Sequence, residues 1–161
     1  MPGMEVAVEN LQSRIALNLP RITRITKTIL RYEKVRRAEL GVVFVSSQKI
    51  KALNKKFLHR DYATDVLAFD LREGGISRDS KARRGELMGD IVISADTAAY
   101  NAGIYRTSLE REIILYVIHG ILHLLGYDDH RPQDIQRMRK KEQEILIYLG
   151  KKTETAVSGK L

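Results

Sequence analysis

At 161 residues the chain is the size of a single domain, and 43% hydrophobic residues suffice for one core. The 28 Lys and Arg against 20 Asp and Glu give a formal charge of +8, and the absence of cysteine excludes a disulfide framework, a thiolate metal site and a cysteine nucleophile. No run approaches the ~18 apolar residues of a membrane span, and the start lacks the basic-then-apolar order of a secretory signal; a soluble, cytoplasmic protein with no membrane partner is expected.

The charge is unevenly spread. Residues 1–60 hold 13 basic and 4 acidic side chains, whereas residues 61–161 hold 15 and 16. The excess sits in the N-terminal part, which is compatible with a polyanionic partner and equally with a solvated basic face.

In chain order, Glu5–Val8 suggests a short strand. Pro20 suits the first turn of a helix, where its missing N–H would be unpaired anyway. Across residues 20–37, Ile22, Ile25, Ile29 and Tyr32 recur at three- and four-residue steps beside a stripe of Arg24, Lys27, Arg31 and Lys34, the pattern of an amphipathic helix with a cationic outer face. Leu40–Ser46 is apolar and β-branched, a buried strand, and Ser47 is placed to cap a helix to about Phe57. Thr64–Leu71 and Gly89–Ser94 read as further strands, with a basic, glycine-containing loop between them at 74–85. Ser94 or Asp96 can start a short helix through Ala102. The strongest helix is Ser108–Leu125, apolar nearly all round and therefore expected inside the domain, with Glu110 and Glu112 favouring its positive end. A last helix, Gln133–Leu149, turns Ile135, Met138, Ile145 and Leu149 inward. The expected organisation is one domain over residues 1–150 and a polar, disordered tail at 151–161. Its fold class is α+β, one small mixed sheet of about four strands packed with about five helices.

Three of the four histidines fall in His119-Gly-Ile-Leu-His123-Leu-Leu-Gly126-Tyr-Asp-Asp-His130. On a helix, positions i and i+4 lie one turn apart with Cβ atoms roughly 5–6 Å apart, so His119 and His123 can share one ion. Gly126 can take the left-handed conformation that ends a helix, letting the next turn carry His130 back to the same ion. Four histidines scattered at random would produce such a cluster in roughly 1% of chains of this length. Three histidines with an open fourth position are the arrangement of a catalytic zinc ion, and one Zn2+ at the end of a buried helix is expected. In metalloproteases of the HExxH type a glutamate base follows the first histidine; here that residue is Gly120. A metal that lowers the pKa of its bound water to about 7 needs no such base. Asp128 and Asp129 suit turn formation and support of the ligands from outside.

The segment HGILHLLGYDDH resembles the HGxLHLxGYDH signature of the YbeY endoribonucleases. Leu53-Asn54-Lys55-Lys56-Phe57, Asp61, Thr64–Phe69 and Gly89–Ile93 resemble other segments of that family in the same order, so the likeness covers roughly residues 40–150. It implies a single-strand-specific, metal-dependent RNase of ribosomal RNA maturation and ribosome quality control, with His119, His123 and His130 as metal ligands. It also implies ribosomal RNA and the ribosome or its small subunit as partners. Two departures stand out. The second and third histidines are seven residues apart where the family commonly has six, and Leu58 stands where many members carry an arginine. Arg60, two residues on, can offer the cation a scissile phosphate requires, or be a solvated surface arginine; His59 suits the surface. The other readings are a zinc-containing, ribosome-associated RNA-binding factor without catalysis, and a metal hydrolase of another substrate class. A scarcity of aromatics, with no Trp, leaves no evident base-stacking platform.

Overall fold

The computed structural model describes residues 3–58, 64–72 and 85–160. Its elements are β1 (Met4–Asn10), α1 (Leu19–Tyr32), β2 (Arg37–Val45), α2 (Ser47–Leu58), β3 (Val66–Asp70), β4 (Glu86–Ser94), α3 (Ala95–Ile104), α4 (Leu109–Leu124) and α5 (Pro132–Lys160). They form the expected α+β fold: a four-stranded mixed sheet in the order β1-β2-β4-β3, with β3 the one antiparallel strand, at an edge.

Alternation along the strands sorts the core. Ala38, Leu40, Val42 and Phe44 of β2, with Leu87, Ile91 and Ile93 of β4, face the larger cluster together with side chains of α1, α3, α4 and α5. Val43 and Val45, one residue out of step, face the other side, where they meet Val92, Leu67 and Phe69 and are covered by Ile50 and Leu53 of α2. Helix α4 runs through the larger cluster with Ile118, Ile121 and Leu122 fully enclosed; each such side chain contributes roughly 1.5–3 kcal/mol.

Local signals explain most boundaries. Asn18 caps α1 by accepting from the Arg21 N–H at 3.1 Å, with Pro20 in the first turn. Ser108 and Ser94 do the same for α4 and α3. Three expectations shift. Helix α1 ends at Tyr32 instead of residue 37: Lys34 adopts φ 61°, and the N–H groups of Lys34 and Val35 donate to the carbonyls of Arg31 and Leu30. This is the left-handed helix stop that glycine normally occupies, so a lysine there gives no warning in the sequence. Ser46, not Ser47, caps α2, accepting from the Lys49 N–H at 3.2 Å, while the Ser47 N–H donates to Asp96 Oδ2 at 2.9 Å. Helix α5 continues through Lys160, so residues 151–160, expected as a polar tail, carry helical backbone; no proline interrupts them, and the first glycine after Lys152 is Gly159. The basic stretch at 74–85 falls almost wholly outside the described residues.

Helix α5 is held to α1 by Lys141, whose Nζ lies 3.2 Å from the Glu33 carboxylate at the α1 C-terminus, and by the Tyr32 and Tyr148 rings, 4.6 Å apart. Helix α4 lies so close to the sheet that a Cβ on Gly120 would stand 2.8 Å from Ile91 Cγ2 and 2.9 Å from its Cδ1, and Ile91 is fully buried. A side chain at this position has no space at its first carbon. Gly120→Glu is expected to cost roughly 3 kcal/mol or more, read as a lowered thermal midpoint, and to create no peptidase activity.

Candidate metal centre

Helix α4 ends at Leu124, and Gly126 turns the chain at φ 99°. The Gly126 N–H donates to the His123 carbonyl and the Tyr127 N–H to the Leu122 carbonyl, both at 3.0 Å. That paired stop reverses the chain and brings residues 128–130 back beside the last helical turn. Arg72, just beyond β3, donates to the Leu124 carbonyl at 2.7 Å and pairs with Asp70 at 2.8 Å, so a cation also satisfies the negative end of the helix.

His119 and His123 lie one turn apart with their Nε2 atoms 3.0 Å from each other. Asp129 Oδ2 stands 3.4 Å from the His123 Nε2 and 3.7 Å from the His119 Nε2. Donors about 2.0–2.1 Å from a zinc ion at the corners of a tetrahedron are ~3.3–3.4 Å apart, and the three observed separations bracket that spacing. The side chain of Glu142, buried on α5, places Oε2 3.1 Å from the His119 Nδ1. Donation of the Nδ1 proton to that carboxylate leaves Nε2 with a free lone pair, the arrangement that orients metal-binding histidines. Burial, reinforced by the neighbouring His119, holds the His123 imidazole below its ordinary pKa of 6.5, against the pull of Asp129; the neutral ring is the ligand form. The donor set therefore fits a divalent cation.

His130 is not in the donor group of His119, His123 and Asp129. Its side chain is 73% exposed and its Nε2 is 3.4 Å from Asp128 Oδ1. Asp128, Asp129 and His130 form a second donor group that shares Asp129 with the first. Leu58 closes α2; Arg60, His59 and Asp61 lie outside the described residues.

A cavity of about 750 Å³ opens over the histidines, walled by the β3 edge, by Asn54 of α2 and by the turn through His130. Asp65 faces it. Burial pushes its carboxyl above the usual 3.8; His119 and the Asn101 amide pull it back, and the Glu112 carboxylate adds to the rise. The Asn101 amide donates in turn to the Tyr116 hydroxyl at 2.6 Å.

Residues 7–150 match the family model described as endoribonuclease YbeY. The chain belongs to the YbeY endoribonuclease family. The curated endoribonuclease YbeY of Desulforamulus reducens is 41% identical over 151 residues, spanning 91% of this chain and 98% of that protein. That of Syntrophus aciditrophicus is 35% identical over 149 residues and 91% of each chain. A solution structure of a Thermotoga maritima protein shares the fold with a TM-score of 0.57 at 25% identity, over 91% of this chain and 93% of that one. The YbeY likeness thus reaches back past the motif segments into β1 and α1.

Two carboxylates of the site escape a reading of the motif. Glu142 had one signal: it occupies the inward step between Met138 and Ile145 of α5, a carboxylate in an apolar stripe. Asp65 lies within the Thr64–Phe69 segment of the family likeness, but only the fold, which sets β3 against α4, brings it to the histidines. A raised carboxyl pKa means the folded metal-free chain loses stability as pH rises from 3.8 through the folded-state value. Asp65→Asn, which removes that charge, is expected to be more stable than the parent at neutral pH, with the advantage shrinking toward pH 3.8, as thermal melts across that range will read.

Proposed function

We propose that this chain is a zinc-dependent endoribonuclease that cleaves single-stranded RNA in ribosomal RNA maturation and ribosome quality control, working on the ribosome or its small subunit in the cytoplasm. The observation that carries the reading is the triangle of His119, His123 and Asp129 at the floor of an open cavity, in a chain of the YbeY family. His119 and His123 hold the ion together with a ligand from the turn at 128–130, where the sequence expects His130. Glu142 keeps the His119 ring oriented from behind. When bound, zinc polarises a phosphate oxygen and makes water acidic enough to serve as nucleophile near neutral pH. Asp65, poised at the cavity wall with a raised pKa, suits proton transfer at a carboxylate oxygen. Arg60, two residues after Leu58 in the sequence, offsets the negative charge that develops on the phosphate.

Among the described residues no helix is long and apolar enough to cross a membrane. The cations of α1 and α2 lie over opposite faces of the sheet, and it is α2, with Lys49, Lys51, Lys55 and Lys56 exposed, that borders the cavity through Asn54. That favours the α2 lysines as the groups that follow an RNA backbone.

Chelation is expected to abolish cleavage of unstructured RNA and added zinc to restore it, and His119→Ala and His123→Ala are each expected to lose both metal and cleavage. Cleavage that survives complete removal of metal sinks the reading. Separately, Lys55→Gln with Lys56→Gln is expected to weaken RNA binding and to flatten its salt dependence by a slope of ~0.7 per lost phosphate contact, without changing metal content; Arg60→Ala should lower the cleavage rate and leave metal content unchanged.

A further inference from the structure

Two residues of the turn compete to complete the metal site. Asp129 directs Oδ2 at both ring nitrogens of the helical pair, 3.4 Å from one and 3.7 Å from the other. His130, one residue later, is drawn to Asp128 and is largely solvated. The register follows from the helix stop: Gly126 and Tyr127 are committed to the carbonyls of His123 and Leu122, and the Asp129 N–H donates to Asp128 Oδ1 at 2.8 Å. Of the two, Asp129 joins His119 and His123 in one donor group, whereas His130 groups with Asp128 and Asp129 and stays exposed.

We propose that Asp129, rather than His130, is the third protein ligand of the ion, giving a site of two imidazoles and one carboxylate. The proposal rests on the metal-dependent reading above. Two histidines with a carboxylate still leave a fourth position open on zinc. The anionic ligand gives a divalent site a net charge of +1, where three neutral imidazoles would leave +2, and it makes the site more hospitable to harder ions such as Mn2+.

The test uses the full-length chain and the variants Asp129→Ala and His130→Ala. Each is loaded with Zn2+ and dialysed against a competing chelator, and its metal is then measured by elemental analysis, with circular dichroism confirming the fold. Asp129→Ala is expected to lose the ion and His130→Ala to keep it. Co2+ loaded in place of Zn2+ gives a second readout: its visible absorption should be the same in His130→Ala as in the parent. Loss of metal from His130→Ala, retention by Asp129→Ala, or a Co2+ spectrum altered by removing His130 overturns the assignment. If the parent itself binds no ion, the metal-dependent reading falls and the assignment with it; if the parent binds zinc and cleaves RNA but His130→Ala loses the ion, only the assignment falls.

Discussion

The contact between the α4 backbone and the sheet at Gly120 governs where every group of the site can be. Without a Cβ at 120, the helix settles against Ile91, and Gly89 on β4 likewise leaves room for Leu124. Depth of insertion then sets the height of the histidines. His119 precedes the contact and His123 follows it by three residues, so both emerge over the β3 edge while Ile118, Ile121 and Leu122 are enclosed. Packing at this density tolerates little displacement, and the helix is therefore a rigid platform for two ligands.

Charge is divided between the interior of the cavity and its surroundings. The chain is strongly basic, yet Asp65, Asp70, Asp128, Asp129 and Glu142 all line the cavity. Asp70 is neutralised by Arg72 and Glu142 is turned to His119. What remains attracts a cation and repels a bare phosphate. A divalent ion reconciles the two, because it gives a polyanion a counter-charge at the point where the protein itself supplies negative charge. The lysines of α2 lie outside the cavity, where they can meet the rest of a nucleic-acid backbone without competing for the carboxylates.

The second layer is carried by α5. Glu142 reaches His119 only because α5 docks on α1 and α4, through the Lys141–Glu33 pair, the contact of Tyr32 with Tyr148 and the buried Met138 and Ile145. Neighbouring residues of one helix thus divide the work: Lys141 anchors it and Glu142 orients a ligand. A site assembled this way is preorganised by tertiary contacts made well away from it.

Much was already readable in the residues themselves. The i,i+4 histidines, the glycine that ends their helix and the enclosed apolar run give a buried helix with two imidazoles at its end, because helical periodicity and caps are local properties. The alternation of the strands and the serine and asparagine caps are local too, and they yielded the α+β class and most boundaries. Where a lysine rather than a glycine took the left-handed stop, at Lys34, the boundary was invisible, since the strain is tolerated only in the packed structure. Non-local choices belonged to the fold alone. Sequence spacing marked His130 as a third ligand, but which groups of a turn stand next to the pair depends on the hydrogen bonds that close it, and Asp129 Oδ2 comes to 3.4 Å from the His123 Nε2. Asp65 and Glu142 lie 54 and 23 residues from His119, and only the packing of β3 and α5 on α4 converts those separations into contact across one cavity.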